Sequence, residues 1–175
     1  CAGTFAGRSA KPALPTADPV IVLTPSAEDE KALAKINVDP ELLADDGADY
    51  RGRIIEKPWG SERELFRGEG FCVWQLTFRA RAETSMHAHQ QKDTMLIASE
   101  GEVIVETLRT KHHLVPGGAC LIGRGTVHKT FALSAAVVVE VESGTNRHDL
   151  LRLSDRYGRG QGYETQGFTR AEQVG

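Results

Sequence analysis

Thr84-Ser85-Met86-His87-Ala88-His89-Gln90-Gln91-Lys92-Asp93-Thr94, closing at Gly101, is the stretch around which the chain is organised. In an extended segment, residues two apart point to the same face, so His87 and His89 aim their imidazoles together. Two convergent imidazoles at the mouth of a β structure are the start of a metal site, and a third is needed to complete it. Gly123-Arg124-Gly125-Thr126-Val127-His128 supplies one. The 15 residues between Gly101 and Gly117 suit a Gly-bounded hairpin, which returns the chain so that His128 arrives beside the pair on a neighbouring strand.

Working outward, short β-prone runs surround this core. Phe71–Phe78 is aromatic and β-prone, and Met95–Ser99, Glu102–Leu108, His113–Val115, Ala119–Ile122, Lys129–Leu133 and Ala136–Ser143 follow, punctuated by Gly101, Gly117-Gly118, Gly123, Gly125 and Gly144. Many short strands with almost no helix between them predict an antiparallel sandwich or barrel. Upstream, residues 1–19 read as a flexible tail, and Val20-Ile21-Val22-Leu23 as a short strand on a sheet edge. Ser26 with Asp29 three residues on, and Asp39-Pro40, are helix-start signatures that predict two short helices within 26–46. A short helix is expected near Asp149–Asp155, and a loop over 158–167. The division expected is an N-terminal extension over 1–50, a barrel over 51–160 and a tail over 161–175.

The bulk properties exclude several classes. With 175 residues, 40% of them hydrophobic, the chain suits one domain with a real core. Lys and Arg are scattered singly at a net charge of −3, so no basic stripe points to nucleic acid. No apolar run approaches the roughly 18 residues of a membrane span. Cys1, Cys72 and Cys120 are odd in number, and the latter two sit in apolar runs, which reads as buried thiols rather than a disulfide frame. A cytoplasmic location is the expectation. The chain opens on Cys rather than Met, so a lipid-modified mature N-terminus is the alternative reading.

The two histidine segments resemble the paired motifs of the cupin superfamily: His-x-His followed by an acid and a Gly, then Gly, five residues, and Pro-x-Gly-x-x-His. Gly117, five residues, Gly123 in the Pro position, Gly125 and His128 match the second motif. The resemblance implies an all-β, double-stranded β-helix barrel with a short helical N-terminal extension. It also implies a divalent metal held by His87, His89 and His128. The family's ligating Glu falls on Thr94, a poor ligand; Asp93 beside it serves if a bulge turns it inward. Imidazole alone does not choose among Zn, Mn, Fe and Ni. His112-His113 and His148 are expected to face solvent.

Glu56-Lys57-Pro58-Trp59-Gly60, Glu140-Val141-Glu142-Ser143-Gly144 and the run from Asp149 to Arg159 resemble motifs of the mannose-6-phosphate isomerase branch of cupins. The resemblance implies a metal-dependent aldose–ketose isomerase acting on a sugar or sugar phosphate. Asp93 and Glu140 are then the candidate catalytic acids or bases, and Arg124, Lys129 and Glu142 the candidate substrate contacts. Plain structural readings stand beside these: Glu140 as a cross-strand partner, Lys129 as a solvated rim residue, Arg152 with Asp155 as an ion pair. Two other functions compete, a non-catalytic module binding a sugar or small acid, and a three-histidine iron dioxygenase. Pairing of the Val20–Leu23 edge across two copies predicts a homodimer.

Overall fold

Alternation of apolar and polar residues decides which way each strand faces. In a computed structural model, which describes residues 20–161 and the backbone of 168–170, the strands and helices run as follows. The order is β1 (Ile21–Leu23), α1 (Ala27–Leu33), a 3-10 turn (Pro40–Leu43), β2 (Arg53–Lys57), β3 (Gly60–Gly68), β4 (Phe71–Phe78) and β5 (Met86–Ala88). Then come β6 (Thr94–Glu100), β7 (Val103–Thr107), β8 (Lys111–Leu114), β9 (Ala119–Ile122), β10 (His128–Ala132), β11 (Ala136–Ser143), β12 (Leu151–Ser154) and β13 (Phe168–Arg170). They form one eight-stranded sheet, ordered β1-β9-β6-β11-β4-β3-β2-β13, and one five-stranded sheet, β12-β5-β10-β7-β8. All pairings are antiparallel except β1 on β9 and one isolated bridge.

The core lies between the sheets. Trp74, Leu76 and Phe78 of β4, Leu96 and Ala98 of β6 and Val138 of β11 meet Val103 and Val105 of β7, Leu114 of β8 and Ala132 of β10. Along β11 the inward positions are Ala136, Val138, Glu140 and Glu142, so the barrel interior changes from apolar to charged within one strand. Glu62 and Glu64 on β3 extend the charged end, which is the end where β5 and β10 bring their histidines.

Several expectations are adjusted. The segment predicted as a helix near Asp149–Asp155 contains strand β12, with Leu151 opposite Ala88 and Arg152 opposite His87. Asp149 caps no helix; its carboxylate accepts from the Gln90 and Gln91 N–H groups at 2.9 and 2.8 Å. The second N-terminal helix is a single 3-10 turn, capped by Asp39 on the Glu41 N–H at 3.0 Å. Ser26 does start α1 through a capping box with Asp29. His148 is half-buried and pairs with Asp46 at 3.0 Å, fastening that turn's flank to the barrel, whereas on β8 His113 is exposed and His112 partly so. Asp155 pairs with Arg159 at 2.6 Å rather than with Arg152. Cys72 and Cys120 are free, buried thiols. Cys1, the N-terminal tail and most of the C-terminal tail lie outside the described residues. No helix among those described is long and apolar enough to cross a membrane.

Gly101 shows how tightly the hairpin is set. Its φ of +67° lies in the left-handed region, and a Cβ there would fall 2.2 Å from the Ala135 carbonyl oxygen. Gly117 has φ +91° with nothing within 4 Å of such a Cβ. Gly117→Ala therefore meets backbone strain only, on the order of 1–2 kcal/mol, while Gly101→Ala adds a backbone clash and costs at least about 3 kcal/mol. Urea denaturation separates the two, and equal losses would contradict the assigned turn.

Candidate metal centre

Register places the histidines. β5 pairs with β10 so that His87 and His128 stand directly opposite each other, and His89, two residues along, stays on the same face. Ring centroids lie 4.6 Å apart for His87 and His128, 5.0 Å for His87 and His89, and 5.9 Å for His89 and His128. All three side chains are buried.

Backbone carbonyls settle the tautomers. His87 Nδ1 donates to the Ser85 carbonyl at 2.7 Å and His128 Nδ1 to the Thr126 carbonyl at 3.0 Å, while His89 Nδ1 donates to the Asp149 carbonyl. A carbonyl can only accept, so each Nδ1 carries the proton and each Nε2 presents its lone pair. The ligand atoms of the three residues lie within 4.8 Å of one another. Burial lowers all three imidazole pKa values; for His87 and His89 the neighbouring charged groups, including the other imidazoles, lower them further. Neutral imidazoles with aimed Nε2 atoms are the form that ligates a divalent cation, so this donor set fits one.

A second group adjoins it. His89, Glu140 and Glu142 also bring ligand atoms within 4.8 Å of one another. The two acids have different surroundings. Glu142 is held by Lys92 at 2.7 Å and Arg147 at 3.1 Å, and accepts from the Cys72 thiol at 3.2 Å. Burial would push its carboxyl up, but the two cations hold it well below the ordinary range. Arg147 also reaches Glu62 at 2.8 Å and lies 3.8 Å over the Trp74 ring, and Lys57 meets Glu62 at 3.4 Å. Glu140 is only 8% exposed, and its carboxylate has no hydrogen bond or ion pair among the described residues. Burial, then the Glu142 charge, raises its carboxyl to about 8.

These groups open onto a pocket whose lining includes His87, His89, Glu140, Lys57, Arg152 and Arg159. The lining as a whole has five basic side chains against three carboxylates, a balance that favours an anionic occupant.

The other sequence candidates lie elsewhere. Thr94 is buried, directly across from Glu142 in the β6–β11 ladder, and its hydroxyl lacks a hydrogen-bond partner among the described residues. Asp93 turns to the rim, where it accepts from the Arg124 backbone N–H at 2.9 Å and its guanidinium at 3.0 Å. Arg124 is therefore joined to Asp93, apart from the pocket. Lys129 follows the inward-facing His128 and so points outward, to Glu83 at 3.1 Å and Glu106 at 3.7 Å. Sequence reading missed Lys92, Arg147 and Glu62, whose buried pairing carries no local signal. Arg152 and Arg159 did sit inside a motif already singled out.

The neutral, buried imidazoles make the metal-free protein acid-sensitive. Their folded pKa values lie below the ordinary 6.5, so the stability they contribute is present above about pH 6.5 and is lost as pH falls. Glu140 acts in the opposite sense, its contribution fading as pH rises from 4.5 toward about 8, but it is one group against three. Unfolding free energy measured by urea is expected to drop between pH 7 and 5, with a shallower slope in a His87→Gln, His89→Gln variant. An unchanged slope would contradict the burial of these rings.

No family model and no curated protein matches the chain. Solved structures do. An RmlC-like cupin from Shewanella frigidimarina aligns at TM-score 0.50 and 18% identity, over 53% of this chain and 83% of that one. The capsular polysaccharide assembling protein CapF from Staphylococcus aureus aligns at TM-score 0.51 and 14% identity, over 58% of this chain and 31% of that one. KdgF from Halomonas sp. aligns at TM-score 0.47 and 20% identity, over 59% and 94%. The chain has the jelly-roll barrel fold of the cupins.

Proposed function

We propose that the protein is a metal-dependent sugar-phosphate isomerase of the mannose-6-phosphate isomerase type. The observation that carries this reading is Glu140: a buried carboxylate, without a partner among the described residues, beside His89 in a pocket lined by more cations than carboxylates. A divalent ion held by His87, His89 and His128 would supply Lewis acidity toward the sugar's carbonyl and hydroxyl oxygens.

The chain's own residues do the rest. Glu140, as the carboxylate, takes the proton from the carbon beside the carbonyl and returns it to the former carbonyl carbon. The hydroxyl proton crosses to the other oxygen, so aldose and ketose differ by nothing gained or lost. A carboxyl raised to about 8 populates both forms near neutral pH, as a group that must take and return a proton requires. Lys92 and Arg147 keep Glu142 charged, and that charge in turn favours the protonated form of Glu140. Among the cations, Arg152 and Arg159 line the pocket, Arg159 held there by Asp155, and suit a phosphate better than Arg124 and Lys129, which face away. Two free thiols fit a reducing, cytoplasmic setting.

Thr94 in place of an acid favours one competing reading, an iron centre of three histidines performing oxygen chemistry. With Zn or Mn supplied, wild-type protein is expected to interconvert mannose 6-phosphate and fructose 6-phosphate. Glu140→Gln is expected to lower kcat by about 100-fold or more with metal content unchanged, and His128→Ala to lose both metal and turnover. Absence of turnover across several hexose phosphates would overturn the isomerase. Bound iron with oxygen uptake would favour the dioxygenase, and a protein that takes up no metal would favour a binding module.

The homodimer belongs to the same proposal. Among the described residues β1 ends its sheet, and Val22 on it is 62% exposed, an apolar edge suited to a second copy. Light scattering after gel filtration is expected to give twice the chain mass at micromolar concentration; a monomer contradicts it.

A further inference from the structure

The peptide that orients His128 is gripped from its other side by the N-terminal segment. The Thr126 carbonyl accepts the His128 Nδ1 proton at 3.0 Å, and the N–H of that same peptide, on Val127, donates to Asp29 Oδ1 at 3.1 Å. Asp29 is 3% exposed although it stands at the start of a surface helix. Its other oxygen accepts from the Ser26 N–H and hydroxyl, both at 2.7 Å. A few residues earlier, the Leu23 carbonyl accepts the Gly123 N–H at 2.8 Å, where β1 runs along β9. The β1–α1 segment thus fastens both ends of the 123–127 turn that delivers His128.

An amide is a conjugated unit. A carboxylate on its N–H draws the proton outward and increases the negative charge on its carbonyl oxygen, which strengthens the bond that the oxygen accepts on the far side. Here that bond holds an imidazole in the Nδ1–H form and makes its Nε2 the better donor. His87 rests on the Ser85 carbonyl and His89 on that of Asp149, whose carboxylate is turned to the Gln90 and Gln91 amides.

We propose that Asp29 is a positioning residue for the candidate metal centre, acting on His128 through the Thr126–Val127 peptide as a carboxylate–peptide–imidazole relay. The relay rests on the reading of His128 as a ligand, and makes the N-terminal segment part of the site. Helix capping alone is the competing explanation for Asp29, and Ser26→Ala tests it by removing the cap hydroxyl while leaving the Val127 bond in place.

Two readouts on the full chain decide the matter. Long-range proton–nitrogen NMR of the metal-free protein reports the His128 tautomer, and titration with Co(II) reports affinity. The relay predicts an Nδ1–H His128 in wild type and in Ser26→Ala. It predicts a shift toward mixed tautomers in Asp29→Ala, with Co(II) bound about 10- to 100-fold more weakly. Asp29→Asn, which keeps an acceptor for Val127 but not the charge, should fall between them and guards against loss of folding in the alanine variant. A wild-type tautomer and affinity in Asp29→Ala would overturn the relay, as would an equal loss in Ser26→Ala. If wild type binds no Co(II) while Asp29→Ala still changes the tautomer, the relay stands and the metal reading fails.

Discussion

Three Nδ1–H bonds to backbone carbonyls hold three buried imidazoles in a single tautomer, and most of the site's chemistry follows from that constraint. With Nδ1 committed, Nε2 is the nitrogen each ring has left to offer a ligand. Burial keeps the rings neutral, because a charged imidazole there would lose its hydration and meet other cations. The β5–β10 register enforces the arrangement, since a slip of one residue would turn His128 out and Lys129 in.

The charged end of the barrel is organised by the same economy of burial. Buried ions are tolerated when paired, and Glu62, Glu142, Lys57, Lys92 and Arg147 satisfy one another in a connected network. Removing one member of such a pair typically costs about 3–5 kcal/mol, because its partner is left charged and alone. Glu140 stands inside this network without joining it. That position, rather than the presence of an acid as such, gives it a pKa suited to proton transfer.

Much of this was readable from sequence, and the parts that were not share a cause. Local rules captured the His-x-His alternation, the Gly-bounded hairpin, the strands Phe71–Phe78 and Ala136–Ser143, and the Ser26 cap. Sequence reading singled out Glu140 and Glu142 as candidates, yet could not say that both are buried or that Lys92 and Arg147 neutralise only one. Asp149 and Arg152 fell in an expected short helix; tertiary contacts with Gln90, Gln91 and His87 decide otherwise. Asp29 showed its local role in α1 and hid its distant one, since its bond to Val127 spans 98 residues.

The convergence of the three Nε2 atoms is tested most directly by anomalous X-ray scattering from crystals loaded with Co(II). One anomalous peak per chain is expected between His87, His89 and His128, about 2.0–2.2 Å from each Nε2. A peak bound through Nδ1, a peak only at His112 and His113 on β8, or none at all would contradict the site.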